Sequence, residues 1–162
     1  MDGGSGISVR PANADDLDAL VKLLRQLHSD FPTDRDKAEG VLAEMLRQQG
    51  RTILVAVSGA EVVGTADLLV VANLTHAASP WAIVENVVVD RAIRRAGIGR
   101  ALMTEVLDRA TQAGCYMVQL VSLKHRSEAH RFYDQIGFEP VAEGFRRYLN
   151  GFVASRPDAS EG

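Results

Sequence analysis

The chain has 162 residues, of which 46% are apolar, and its 18 basic and 21 acidic residues give a formal charge of −3. This size and apolar content suit one domain, and the balanced charge argues against the basic surface of a nucleic-acid-binding protein. Cys115 is the only cysteine, which excludes an internal disulfide and favours a cytoplasmic protein.

No apolar run reaches the roughly 18–20 residues of a membrane span. The histidines and the cysteine show no metal-binding spacing, so no metal is expected. Residues 1–6 are rich in glycine and serine and are predicted to be disordered, as is the small, polar tail over residues 153–162. Residues 7–152 are predicted to form a single domain.

The first part of the chain predicts a strand, two helices and a hairpin. The strand covers residues 7–11, and Asn13 is expected to cap a first helix with an apolar stripe from Leu17 to Leu27. Residues 31–34 break this helix, and a second helix ends near Gly50. Strands over residues 52–57 and 62–72 should pair as an antiparallel hairpin.

The second part of the chain predicts further strands alternating with helices. After a loop over residues 73–80, a strand over residues 81–89 is apolar enough to be central. An amphipathic helix from Ile98 to Ala110 ends at Gly114, and a fifth strand covers residues 116–123. A helix over residues 129–136 and two strands over residues 139–141 and 145–149 complete the predicted order.

The most informative stretch runs from Val87 to Leu102. It predicts a buried strand, a short basic loop with two glycines and the first turn of a helix. Such a loop directs free backbone N–H groups at a ligand, and the helix dipole adds partial positive charge, so a pyrophosphate fits there. Gly97 and Gly99 let the main chain approach without a Cβ, although a merely tight connection is the alternative explanation. Neither a dinucleotide fingerprint nor a Walker loop matches the spacing.

A second block lies at residues 129–138. Ala129, Phe132, Tyr133 and Ile136 share one helix face, and Gly137 is placed to end the helix. The A-x-x-F-Y-x-x-x-G-F spacing of this block, together with R-x-x-G-x-G at residues 94–99, resembles the two signatures of the GNAT acetyltransferase superfamily. The resemblance covers residues 7–149 and is sharp in these two blocks.

The resemblance implies an α+β fold of three layers. Its central sheet would be mixed but mostly antiparallel, with six or seven strands flanked by four helices, and residues 7–152 would form the acetyltransferase domain. It also implies acetyl-CoA as cosubstrate. The main chain of Val87, Val88 and Val89 would pair with the pantetheine arm, and a backbone N–H near Val87 or Val88 would be the oxyanion donor. The pyrophosphate would lie against Arg94, Arg95, Ala96, Gly97, Ile98, Gly99 and Arg100.

Two side chains are candidates for the proton transfers. Tyr133 resembles the family's acid beside the sulfur of CoA, and phenols ordinarily keep their proton near neutral pH; its alternative role is a core tyrosine. Glu85 is the candidate base for the amine, because a charge within an apolar strand is costly unless it is used or paired. An ion pair is the alternative role for Glu85. Asp67 is expected to be a solvated strand residue, and the addition of negative charge to an amine pocket is its alternative role.

Asn73, His76 and Trp81 are predicted to contact the acceptor, because the family binds it near the first two helices and the loops by the third and fourth strands. Packing of Trp81 in the core and solvation of His76 are the alternatives. Neither block contains a cysteine, which argues against an acetyl-enzyme.

The predicted function is transfer of an acetyl group from acetyl-CoA to a primary amine of a small molecule, by direct attack in a ternary complex. An acyl-CoA-binding sensor or partner module, and an acetyltransferase of protein lysines or N-termini, are the alternatives. Homodimerisation is expected through late apolar residues, namely Phe145, Tyr148, Leu149 and Phe152.

Overall fold

The structure is a computed structural model that describes residues 6–28 and 33–151. Outside the described residues lie the predicted tail at residues 153–162, residues 1–5 of the predicted N-terminal segment, residues 31–32 of the predicted helix break, and Phe152. The chain divides into two compact units, residues 1–120 and 121–162. A single domain over residues 7–152 stays a prediction.

The first unit is built on one five-stranded sheet in which the strands lie in sequence order. All neighbouring strands are antiparallel except the last two, which are parallel, so the predicted hairpin is confirmed. The strands are β1 (Ile7–Pro11), β2 (Arg51–Ser58), β3 (Glu61–Val71), β4 (Trp81–Val89) and β5 (Val118–Leu120).

Helices cover both faces of this sheet. On one face, α1 (Leu17–Leu27) and α2 (Arg35–Arg47) enclose a core with Ile53 and Val55 of β2. On the other face, α3 (Ile98–Gln112) packs directly over Gly64 of β3. Residues alternate between the two faces of a strand, so β2 and β3 serve both layers. The predicted three-layer α+β fold is confirmed.

The predicted count of six or seven strands is wrong for the described residues, which form five. The fifth strand has three residues, and residues 139–149 contain no strand. Strands are stabilised by pairing with a neighbour and by burial of an apolar face. Val141 and Phe145 are 83% and 92% exposed, so their segment lacks the buried face on which the prediction relied.

The second unit contains α4 (Ser127–Gln135). Gly137 has φ +90°, a left-handed conformation that glycine adopts without a steric penalty, and it ends the helix as predicted. The N–H of Phe138 then donates to the carbonyl of Tyr133 at 3.0 Å. This reversal brings the Phe138 ring against the last turn of α4.

A 3-10 turn (Ala14–Asp16) precedes α1, and the side chains of Asn13 and Asp16 cap this turn rather than α1 itself. The Asn13 side chain accepts from the N–H of Asp15 at 2.9 Å, and Asp16 accepts from the N–H of Asn13 at 2.8 Å. Asp16 is buried, and Arg10 donates to both of its carboxylate oxygens at 2.7 and 2.9 Å. These hydrogen bonds hold the pKa of Asp16 below its ordinary value of 3.8, and the one from Arg10 has the largest effect.

We expect Asp16→Asn to lower the free energy of unfolding by about 1–3 kcal/mol at neutral pH, because it removes a partly buried, charge-assisted contact. A lowered folded-state pKa stabilises the fold above the ordinary value of 3.8 and loses that effect as the pH falls through the folded pKa. Urea unfolding at a series of pH values should therefore show the deficit shrinking in acid. Asp15→Asn, at an exposed neighbour, is the control, and equal losses in both variants would contradict the assignment.

Candidate active site

The glycine loop between β4 and α3 lies on the surface of the first unit. Asp90 accepts from the N–H of Ala92 at 3.0 Å and so begins a 3-10 turn. Arg91 donates to the carbonyl of Gln26 at 2.8 Å, which ties the loop to the end of α1. The loop residues beyond this anchor are exposed, and Gly97 has φ +78° immediately before α3. The predicted loop is thus held at its base and open at its tip.

The N-terminus of α3 presents unpaired amides. The N–H of Ala101 bonds the carbonyl of Gly97 at 3.0 Å, whereas the amides of the preceding residues have no intrahelical acceptor. Within the described residues no side chain caps this helix and no acidic residue lies in its first turn. Ile98 is buried, so its side chain anchors the helix and only its main chain can face a ligand. With arginines at 94, 95 and 100, this is a favourable arrangement for an anion.

The outer half of β4 is open toward β5. The two strands pair only over Ala82–Val84, and in the described part of the chain no strand pairs with residues 85–89 on that side. Val88 is buried, while Val87 and Val89 are half-buried. The Val88 side chain is therefore packed in the core, and contact of the main chain of residues 87–89 with a ligand stays a prediction.

A β-bulge interrupts β4 where this open half begins. Thr65 pairs with Val88 and Asp67 with Glu85, so two steps along β3 correspond to three along β4. Asn86 lies within the bulge with φ +53°, a conformation that asparagine tolerates better than most residues. A bulge bends its strand and redirects side chains. Sequence reasoning missed it, and an asparagine within an apolar run was its only signal.

Asp67 is buried and paired, so the expectation of a solvated residue is wrong. Arg51 donates through Nε to Oδ1 of Asp67 at 3.0 Å and through Nη2 to Oδ2. Gln48 in turn accepts from Arg51 Nη1 at 2.9 Å. Glu85 lies opposite Asp67 and therefore on the same face of the sheet. It is exposed and forms no ion pair with the residues that the structure describes.

A cavity of about 410 Å³ lies in the first unit, between α1, α2 and the sheet. Asn86, Thr65 and Asp67 reach it from the strands. Aliphatic side chains of the two helices form most of its wall, including Leu20, Val21, Leu24, Val41, Leu42 and Met45. The sequence predicts these residues as the apolar stripes of two helices. It does not predict the cavity, because periodicity shows which face of a helix is apolar but not whether two such faces close completely.

The three predicted acceptor contacts gather around the loop that follows β3. Asn73 donates to Thr75 Oγ1 at 2.9 Å, which commits its amide to the loop itself. The ring of His76 stacks on Tyr116 with centroids 4.0 Å apart, and His76 has φ +53°. Trp81 is half-buried at the first position of β4. None of these three predicted contacts lies on the cavity wall.

Tyr133 belongs to α4 in the second unit, where it is half-buried. Its ring lies 5.4 Å from that of Phe132 and 5.9 Å, nearly edge-on, from that of Phe138. These contacts hold the phenol ring in a defined orientation within its own unit. The core and catalytic alternatives for Tyr133 both agree with partial burial.

Comparison with known proteins identifies the family. A model of the acetyltransferase (GNAT) family matches residues 17–138, a span that contains both the glycine loop and the α4 block. The chain therefore belongs to the GNAT acetyltransferase family.

Individual relatives agree with this assignment. A protein from Agrobacterium tumefaciens str. C58, assigned as an acetyltransferase, is 39% identical, with a TM-score of 0.84 over 87% of this chain and 99% of that one. The glucosamine 6-phosphate N-acetyltransferase of Trypanosoma brucei brucei is 28% identical over 82% of this chain and 88% of its own. An aminoglycoside N-acetyltransferase solved with CoA shares the fold, at 21% identity and a TM-score of 0.79 over 93% and 99% of the two chains.

The described residues contain neither a membrane-spanning helix nor a cluster of metal-binding side chains. None of their helices combines the length and the apolar character that crossing a bilayer requires. Among the same residues, no group of three or more histidine, cysteine, aspartate or glutamate side chains is arranged to hold a metal ion.

Proposed function

We propose that this protein transfers an acetyl group from acetyl-CoA to a primary amine of a small molecule, by direct attack in a ternary complex. One observation carries the proposal. Asn86 lines the cavity and also lies at the start of the open half of β4. The cavity, where an acceptor would bind, is therefore adjacent to the part of β4 whose main chain is open for CoA. A cavity of about 410 Å³ favours a small acceptor over a protein segment.

The first unit provides suitable groups for CoA. Bound acetyl-CoA would supply an activated acetyl thioester. The amides at the start of α3 and the guanidinium groups of Arg94, Arg95 and Arg100 would hold its pyrophosphate, with Ala96, Gly97 and Gly99 giving the main chain room. The main chain of residues 87–89 would pair with the pantetheine arm. The CoA complex of the aminoglycoside N-acetyltransferase, which has the same fold, supports this part of the proposal.

Each proton transfer of the proposed reaction has a named donor and acceptor. Glu85 takes a proton from the ammonium group of the acceptor, and the free amine nitrogen forms a bond to the acetyl carbon. A backbone N–H near Val87 or Val88 stabilises the charge that develops on the acetyl oxygen. The carbon–sulfur bond breaks, and Tyr133 donates its phenolic proton to the departing thiolate. The second proton that the acylated nitrogen must lose passes through solvent to the Tyr133 phenolate, which restores the phenol.

Replacement of Glu85 tests the role of the base. We expect Glu85→Gln to lower kcat/KM about 100-fold and to remove the acidic limb of the pH–rate profile, because the amide cannot accept the proton. The profile should be measured by thiol release. Glu61→Gln, at an exposed position of β3, is the matched control. An unchanged acidic limb in Glu85→Gln would assign the base to another group.

Calorimetry with CoA and thiol release with a panel of amines test the function as a whole. We expect CoA to bind, and Arg94→Glu to weaken binding about tenfold because it reverses a charge beside the phosphates. Arg47→Glu makes the same change at the exposed end of α2 and should bind like the wild type. Binding without thiol release would indicate an acyl-CoA sensor, and absence of heat with CoA would overturn the proposal.

We also propose a homodimer and a cytoplasmic location. Phe145, Tyr148 and Leu149 are exposed apolar side chains of the kind that a second copy would cover, and Phe152 lies outside the described residues. The single cysteine agrees with a reducing compartment. Light scattering of the full chain should give twice the mass of 17.5 kDa, and a monomer across the micromolar range would contradict the dimer.

A further inference from the structure

We infer that the acceptor is an amine with a compact apolar body, such as an alkyl or arylalkyl amine, and that phosphorylated or polycationic amines are poor substrates. This inference rests on the proposed function and specifies its substrate class. The relatives named above act on glucosamine 6-phosphate and on aminoglycosides. The cavity of this chain is lined mostly by aliphatic side chains.

The wall of the cavity exposes aliphatic surface that none of the described residues of the first unit covers. Val41, Leu24 and Met45 all line the cavity. Val41 is 45% exposed, and the other two side chains are half-buried. Covering such surface is favourable by about 25 cal/mol per Å². A ligand with methylene or aromatic groups gains this energy, whereas a sugar would leave its hydroxyl groups without partners against these walls.

The charged groups of the wall are few, and its two carboxylates, Asp34 and Asp67, already accept hydrogen bonds. Lys37 is the only basic residue among the described residues that line the cavity, and Asp34 accepts from its backbone N–H at 2.9 Å as the cap of α2. Both carboxylate oxygens of Asp67 are held by Arg51. A phosphate needs several donors or cations, and a polycation needs several uncommitted carboxylates. The wall provides neither.

The remaining polar groups suit one amine. Thr65 Oγ1 donates to the carbonyl of Leu54 at 2.8 Å and is therefore used internally. Asn86 makes no side-chain hydrogen bond to the described residues, and the exposed Glu85 precedes it on the face shared with Asp67. One end of the cavity thus offers the Asn86 amide, with Glu85 next to it in the chain but outside the cavity wall, and the rest of the wall is mostly hydrocarbon. The volume of about 410 Å³ exceeds the ~150 Å³ of a protein cavity that holds benzene.

The first experiment compares acceptors by thiol release at fixed acetyl-CoA. We expect kcat/KM to rise about fourfold per added methylene from butylamine to hexylamine, which corresponds to 0.8 kcal/mol per buried CH₂. Phenethylamine should be at least as good as hexylamine. Glucosamine 6-phosphate and an aminoglycoside should be at least tenfold poorer, and a rate with either that equals the rate with hexylamine would overturn the inference.

The second experiment changes the wall. Val41→Asp places a charge on the exposed lip of the cavity and should abolish the gain from butylamine to hexylamine. Ala43→Asp makes the same kind of change at an exposed position of α2 that does not line this cavity, and it should retain the gain. Equal behaviour of the two variants would overturn the inference. Calorimetry with CoA on both variants establishes that they are folded and competent for the cosubstrate.

The outcomes separate the inference from the proposed function. If thiol release occurs but kcat/KM is higher with polar amines than with hexylamine, the acetyltransferase proposal stands and the substrate class is wrong. If no amine releases thiol, the proposed function fails, and calorimetry with hexylamine in the presence of CoA still decides the binding preference. Hexylamine binding that is lost in Val41→Asp and retained in Ala43→Asp supports the apolar site, and any other pattern rejects it.

Discussion

Replacing Tyr133 with phenylalanine should lower kcat about 100-fold while leaving the affinity for CoA unchanged, because the phenolic proton is the one that the departing thiolate needs. Phenylalanine keeps the ring, so the contacts with Phe132 and Phe138 persist and the fold of the second unit should be retained. Steady-state thiol release with a good amine acceptor measures the loss.

The specificity of this effect needs a matched variant. Tyr148→Phe removes the same hydroxyl group from a partly exposed tyrosine of the second unit and should keep the wild-type kcat. Thermal unfolding of both variants shows whether either has lost stability. An unchanged kcat in Tyr133→Phe would exclude the acid role and leave Tyr133 as a packing residue.

Replacing Gly64 with alanine should lower the free energy of unfolding by about 1–3 kcal/mol, the usual cost of overpacking a core. A Cβ at this position would lie 3.1 Å from Ile98 Cγ2, 3.1 Å from Leu102 Cδ1 and 3.2 Å from the carbonyl oxygen of Val88. Two of these contacts are with side chains in the first turns of α3, so relief shifts these side chains, or the start of the helix with them, by a few tenths of an ångström. We therefore expect weaker CoA binding as well.

Urea unfolding and calorimetry with CoA measure these two effects. Gly40→Ala is the control, since a Cβ there meets nothing within 4 Å and α2 gains about 0.5–1 kcal/mol from the better helix former. If Gly64→Ala is as stable as the wild type and binds CoA equally well, the close approach of α3 to β3 does not position the glycine loop.

The loop and the α4 block were predictable because their chemistry is local. A basic stretch with Gly97 and Gly99 ahead of an apolar stripe determines a turn and a helix start with little help from the rest of the chain. Gly137 fixes the end of α4 in the same way, through a backbone conformation that few other residues adopt. Asn13 likewise caps, through neighbouring residues, the 3-10 turn Ala14–Asp16 that leads into α1.

The cavity, the bulge and the state of Asp67 depend on residues distant in sequence. Arg51 neutralises Asp67 across two strands, and no spacing rule pairs those positions before the hairpin register is known. The gap beneath Val41 arises from how α1 and α2 meet the sheet, which periodicity does not determine. Residues 139–149 show the converse, since a strand-like pattern without a partner forms no strand.

The bulge in β4 makes the deletion of one residue compatible with the strand pairing. Thr65 faces Val88 only because one extra residue is accommodated at Asn86. Deleting the Asn86 codon would remove the extra residue of the bulge. Thr65 would still lie opposite Val88 and Asp67 opposite Glu85, in a regular and straighter strand pair. An in-frame deletion of three nucleotides would therefore preserve the strand pairing while it removes the side chain that joins the cavity to the open half of β4.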